Sequence, residues 1–208
     1  MSRSTMVVLI VLAAAAAMCA AVGVWWYHNT FGHAPCTRAF MEPGAAMQPT
    51  IQPGDSVCAD TSRYGNHDPS DGEVVVFEPP AILGTLPFTK RIVAGPGDTV
   101  AMRRGRTYVN GTQVYEPYIS TPASYSLQVR NFDIYVDETP LDPSRAQIPP
   151  KDSWSRQNWI PKGYYLVLGD NRNNSDDSHL WGFVRRDQLI GRVTSIYWPL
   201  SRVRTLSP

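Results

Sequence analysis

Lysine is nearly missing from this chain: Lys90, Lys151 and Lys162 stand against sixteen arginines. Arginine keeps its charge in a protein, whereas a desolvated lysine gives up its proton readily, so each of the three marks a place to look for a neutral amine. Lys151 and Lys162 sit beside prolines in turn-like stretches, which leaves Lys90. Histidine is also thin. His28, His33, His67 and His179 are dispersed, with no H-E-x-x-H and no C-x-x-C among them, which argues against a zinc site. The sequence has no G-x-x-x-x-G-K-S/T, no G-x-G-x-x-G and no G-x-S-x-G, which removes nucleotide cradles and the nucleophile elbow of α/β hydrolases. A net charge of +1 over 208 residues gives no electrostatic ground for a nucleic-acid partner.

Charge is wholly absent from Met6 to Tyr27, 22 residues that as a helix would span roughly the ~30 Å hydrocarbon layer. The run is long for a cleaved leader. Trp25, Trp26 and Tyr27 close it with rings suited to headgroup depth, so a retained single-pass anchor is favoured over a signal peptide, although A-x-A patterns within it could be cut. Ala16-Ala17-Met18 before Cys19 is a poor lipidation approach. Arg3 and the amino terminus place residues 1–5 in the cytoplasm, and residues 28–208 on the far side of the membrane. Of three cysteines, Cys19 falls in the apolar run, leaving Cys36 and Cys58 in a compartment where disulfides persist. A bridge between them is one expectation; two free thiols are the other.

Eighteen prolines argue against long helices beyond the anchor, and the hydrophobic runs there are short and rich in β-branched residues. Strands are expected at Asp55-Ser-Val-Cys-Ala, Glu73-Val-Val-Val-Phe, Phe88-Thr-Lys-Arg-Ile-Val, Asp98-Thr-Val-Ala-Met, Asp133-Ile-Tyr-Val, Tyr164-Tyr-Leu-Val-Leu and Leu189 to Trp198. Asn110-Gly111 between alternating stretches is a hairpin signal. Strand alternation requires one of the neighbours Lys90 and Arg91 to face inward. Residues from about 116 to 161 are polar, proline-studded and least patterned, and read as an insertion or cap on a β core.

Four segments in order resemble the boxes of the bacterial type I signal peptidases, membrane-anchored serine-lysine endopeptidases. They are Gly44-Ala-Ala-Met-Gln-Pro-Thr-Ile51, Asp71-Gly-Glu-Val-Val-Val-Phe77, Lys90-Arg-Ile-Val-Ala-Gly-Pro-Gly-Asp98 and Gly169-Asp-Asn-Arg-Asn-Asn-Ser-Asp-Asp-Ser-His-Leu-Trp-Gly182. The likeness runs from about 40 to 198, with 116 to 161 unmatched. It implies a mostly β, signal-peptidase-like catalytic domain with an inserted cap, plus one N-terminal transmembrane helix. The family pattern Ser-Met-x-Pro-Thr puts the nucleophilic serine at position 46, where this chain has alanine. Retention of the other groups favours a deliberate serine-to-alanine replacement; a native non-catalytic homologue is the alternative.

The resemblance assigns Lys90 as general base, Ser175 as the hydroxyl that orients it, and the backbone N–H of Ala46 as an oxyanion donor. Phe40, Glu42, Gly44, Met47, Pro49, Ile51 and Thr89 are expected along the substrate cleft, with Asp177, Arg172 and His179 as structural support. Three departures stand out: Gly44 where a hydroxyl side chain is common, Glu42 where an apolar residue is expected, and His179 where an arginine usually pairs with the carboxylate at Asp177. Asp177 could instead be neutralised by Arg172, Arg185 or Arg186. The implied partners are signal peptides of preproteins ending in small residues, as in A-x-A, and the lipid of a bacterial cytoplasmic membrane, with no metal or organic cofactor. A soluble self-cleaving repressor of related fold fits the anchor poorly; a membrane-tethered protein that captures exported segments without cutting them fits Ala46 well.

Overall fold

Short β-branched runs punctuated by glycine and proline cannot bury an apolar face as helices, and they pair instead into two antiparallel sheets. The computed structural model describes residues 12, 15–23, 36–151 and 157–206. Its strands are β1 (Arg38–Met41), β2 (Ser56–Asp60), β3 (Val74–Phe77), β4 (Phe88–Ala94), β5 (Val100–Arg103), β6 (Arg106–Val109) and β7 (Thr112–Gln113), followed by β8 (Leu127–Arg130), β9 (Asp133–Val136), β10 (Thr139–Pro140), β11 (Tyr164–Leu168), β12 (Val184–Arg185), β13 (Leu189–Trp198) and β14 (Arg204–Thr205). Two one-turn helices, α1 (Arg63–Asn66) and α2 (Ser178–Trp181), lie between strands.

The first sheet runs β1-β2-β13-β3-β4-β11-β12, with β14 also on β13; the second runs β10-β9-β8-β5-β6-β7. Strand β13 joins the halves of the first sheet. Its start pairs with β3 (Leu189↔Phe77) and its end with β2 (Trp198↔Ser56), through register shifts that bend the strand. The hairpin expected at Asn110-Gly111 forms, with Val109 opposite Thr112 and both turn residues at positive φ.

Alternate residues of β3 serve different cores. Val74 and Val76 pack with Met47, Ile51, Val57 and Ile196, while Val75 and Phe77 pack with Ile92, Tyr165, Val167 and Trp181. A sheet covered on both faces leaves no outward position for a charge at its centre, so Lys90 and Arg91 in the neighbouring β4 are both buried. A third cluster, including Ala94, Leu166 and Leu168 with Met102, Leu127 and Ile134, locks the second sheet to the first. The segment from about 116 to 161 supplies β8, β9 and β10, and β8 pairs with β5.

Leu12 and residues 15–23 are helical, and among the described residues no helix is long and apolar enough to cross a membrane. The remainder of the anchor expected over 6–27, and residues 1–5, lie outside the described residues.

Cys36 and Cys58 are joined by a disulfide with their Cα atoms 5.1 Å apart, tying the segment before β1 to the middle of β2. The bridge closes a loop of 22 residues that contains the stretch carrying Ala46. Closing a loop of that size contributes about 3 kcal/mol through the unfolded chain. Cys36→Ala should therefore lower unfolding stability by about that amount, and alkylation of the wild-type chain should add mass to both sulfurs only after reduction. Equal labelling with and without reductant would contradict the bridge.

Candidate active site

The stretch between β1 and β2 is a loop with a closed neck. Glu42 N–H donates to the Asp55 carbonyl at 2.9 Å and Gly54 N–H to the Glu42 carbonyl at 2.7 Å. Arg202 grips the Asp55 carboxylate from below with bonds of 2.8 and 2.9 Å. Met47 and Ile51, one helical turn apart, are fully buried in the core beneath the loop. With these anchors inside, the preceding residues are held at the surface, and Ala46 is half-buried at the crest.

Three segments converge on Ala46. Asn171 N–H donates to the Ala46 carbonyl at 2.9 Å, and the Asn171 side chain donates to the Ala45 carbonyl at 3.1 Å. Gly169 permits this approach: a Cβ there would stand 2.3 Å from Ser175 Oγ and 2.5 Å from the Ala46 carbonyl oxygen. A groove of about 290 Å³ then gathers Glu42, Gly44, Ala46, Thr89, Lys90 and Ser175 along its walls.

Lys90 is 5% exposed and its Nζ donates to the Thr89 carbonyl at 3.1 Å, 5.1 Å above the Phe88 ring. Burial pushes the amine below its ordinary 10.5, outweighing the attraction of Asp177, Glu42 and Asp176, which favour the charged form. Glu42 is 6% exposed, and burial pushes its carboxyl up despite Lys90, a Thr89 side-chain hydrogen bond and the Gly44 N–H at 3.3 Å. Both shifts favour the uncharged partner, so desolvation wins over Coulomb attraction on each side of the groove. The lowered proton affinity suits the amine to act as a base, and it lines the same groove as position 46. Ser175 Oγ is buried without a hydrogen-bond partner among the described residues, and the Lys90 amine bonds the Thr89 carbonyl rather than Ser175.

Other expected residues lie elsewhere. Met47 and Ile51 are core beneath the loop; half-buried Phe40 packs on that core from β1; Pro49 lines a separate cleft with Thr50, Arg91 and Tyr118. The support residues form a second tier. Asp177 caps α2, accepting from Gly169 N–H at 2.9 Å, from His179 N–H at 3.1 Å and pairing with His179 Nδ1 at 2.7 Å. The arginines considered for it are engaged elsewhere: Arg172 with Glu116, Arg185 with Asp187 and Arg186 with Asp68. His179 stacks on Tyr125, with ring centres 4.4 Å apart. Buried Arg172 reaches from the Gly169 carbonyl, at 3.2 Å, to Thr107 at 3.1 Å and to Glu116, binding the turn to the second sheet.

Asp170 and Arg91 were not singled out from the sequence. Arg91 bonds Asp170 through two nitrogens, at 2.8 and 2.7 Å, and Asp170 also accepts from the Thr50 hydroxyl. For Arg91 the signal was its place beside Lys90, whereas Asp170 lies in a Gly-Asp-Asn that makes a turn after a strand in any protein. Among the described residues no group of three or more His, Cys, Asp or Glu could hold a metal ion.

Comparison with known proteins shows the family of the chain. Residues 4–198 match the family described as signal peptidase, peptidase S26. Probable signal peptidase I-2 of Synechocystis is 38% identical over 169 residues, covering 79% of this chain and 65% of that protein. Signal peptidase I of Leptolyngbya laminosa is 32% identical over 172 residues, covering 80% of this chain and 71% of its own. A crystal structure of a signal peptidase I from Enterococcus faecalis is 25% identical with a TM-score of 0.42, over 62% of this chain and 98% of that one. The chain thus spans about two thirds of the length of these curated relatives.

Two outcomes follow from the geometry. Gly169→Ala should destabilise the protein by about 1–3 kcal/mol through overpacking against Ser175 and the Ala46 carbonyl; a melting temperature equal to the parent's would contradict the close approach. The second concerns pH. Because the folded amine sits below 10.5, the unfolded chain holds the Lys90 proton across an interval where the folded chain has lost it, so this group makes stability rise with pH up to 10.5. Lys90→Met should remove that rise, so the parent gains stability relative to the variant as pH climbs toward 10.5. A difference that stays flat over that climb would contradict a depressed amine.

Proposed function

The chain belongs to the signal peptidase family, peptidase S26, and from that premise we propose that its groove binds the end of an exported signal segment and that position 46 decides whether the segment is cut. The observation that carries this reading is the meeting of Ala46, Lys90 and Ser175 in one groove. In the serine-bearing form, the hydroxyl oxygen at 46 attacks the scissile carbonyl while the neutral Lys90 amine takes its proton. The proton passes to the departing amine, and Lys90 then activates the water that releases the acyl group. The backbone N–H of residue 46 donates to the developing oxyanion. Burial shifts the amine toward its uncharged, basic form, which is what this proton transfer requires.

An extended segment would lie along the groove and present alternate side chains to it, which suits small residues in an A-x-A pattern. An anchor at 6–27 in a bacterial cytoplasmic membrane would hold the domain on the outer side and raise the effective concentration of membrane-bound preproteins. With a methyl group at 46 there is no nucleophile, so the chain as written binds such segments without cleaving them. That favours the tethered capture protein as the second reading, and Ala46 is the observation behind it.

Ala46→Ser should cleave a preprotein with an A-x-A site, and Ala46→Ser combined with Lys90→Ala should lose that cleavage. Loss of a catalytic nucleophile typically costs about 10⁶ in turnover, so the contrast between alanine and serine forms is measurable by product release on a gel. A serine form that binds the preprotein but never cuts it would leave the capture reading standing and remove the peptidase one.

A further inference from the structure

The mechanism uses Lys90 and leaves its neighbour across the groove unexplained. Glu42 is an ionisable side chain set in the wall of a cleft that also holds Lys90 and Asp176 beside Leu86, Phe88 and small residues. It is 6% exposed, and its carboxyl accepts from Gly44 N–H at 3.3 Å. That bond occupies only part of the group's capacity, since a carboxylate offers about four acceptor sites.

Resting on the peptide-binding reading above, we propose that Glu42 is a specificity-determining residue: it makes the groove prefer a small hydroxylated side chain, serine or threonine, over an aliphatic one at one of the two positions of the bound segment whose side chains enter the groove. In an extended segment those positions are the residue before the cut and the one two residues earlier, which point to the same side. An aliphatic group pressed against the carboxyl would strip it of water and return no hydrogen bond, a loss characteristic of buried polar groups left without a partner. A hydroxyl is donor and acceptor at once, so it satisfies the carboxyl in either protonation state.

The test uses the full chain, with Ala46 in place, and fluorescent peptides copied from one signal segment. The reference carries Ala-x-Ala before the cut; single variants carry serine or valine at each of the two alanine positions. Anisotropy titrations should show one of the serine peptides binding about tenfold tighter than its valine counterpart. That advantage should disappear in Glu42→Leu and in Glu42→Ala, and persist in Glu42→Gln, which keeps a side-chain acceptor of the same shape. Glu42→Ala provides the readout should the leucine side chain prevent folding. Equal affinities of serine and valine peptides at both positions, or an advantage that survives in Glu42→Leu or Glu42→Ala, would overturn the role of Glu42 while leaving peptide binding intact. If none of the peptides, the Ala-x-Ala reference included, binds the parent, the peptide-binding reading fails and the Glu42 inference falls with it.

Discussion

The buried pair between Arg91 and Asp170 is the interaction on which the site depends. Two parallel N–H···O bonds, at 2.8 and 2.7 Å, join β4 to the turn after β11, and a third nitrogen of Arg91 reaches the Gly72 carbonyl at 2.7 Å. Asp170 simultaneously accepts from Thr50 in the loop of Ala46. One ion pair thus fixes three segments, and each carries a site residue one to five positions away: Lys90 beside Arg91, Asn171 and Ser175 after Asp170, Ala46 before Thr50. Removing either partner would leave an uncompensated buried charge, a loss of about 3–5 kcal/mol, and would release the segments from each other.

Around that tie the chain arranges charges so that burial, not pairing, governs the groove. Asp177 lies fully buried, yet its oxygens are taken by Gly169, His179 and the start of α2, so it orders the turn instead of forming a close pair with the amine. Lys90 is therefore surrounded by carboxylates that pull toward the ammonium, and desolvation still prevails. Arg172 extends the same scaffold to Thr107 and Glu116, which means that the second sheet supports the turn and is not a bystander. A residue such as Met47 contributes from below, by filling the core that holds the crest of the loop in place.

Much of this was legible from residue order. Strands β9, β11 and β13 coincide with the runs Asp133–Val136, Tyr164–Leu168 and Leu189–Trp198, because β-branched and aromatic residues there alternate or run continuously between turn formers. Strand β8 was not visible: Leu127-Gln-Val-Arg alternates correctly, but it is four residues long inside a polar, proline-rich stretch, and only its pairing with β5 and β9 makes it a strand. The burial of both Lys90 and Arg91 was beyond a single-strand pattern, since it arises from two cores covering opposite faces of the sheet. Likewise, the resemblance named Ser175 and Lys90 as partners, whereas the amine here bonds the Thr89 carbonyl, a distinction set by rotamers that sequence does not encode.

Burial holds the Lys90 amine below the ordinary lysine range, so it loses its proton at pH values where an exposed lysine is still charged. With only three lysines in the chain, Lys90 can be followed by NMR through the chemical shift of its Cε, using Lys90→Arg to assign the signal. This resonance is expected to titrate below 10.5, with Lys151 and Lys162 as the comparison within the same sample. A Lys90 midpoint at or above 10.5 would contradict it.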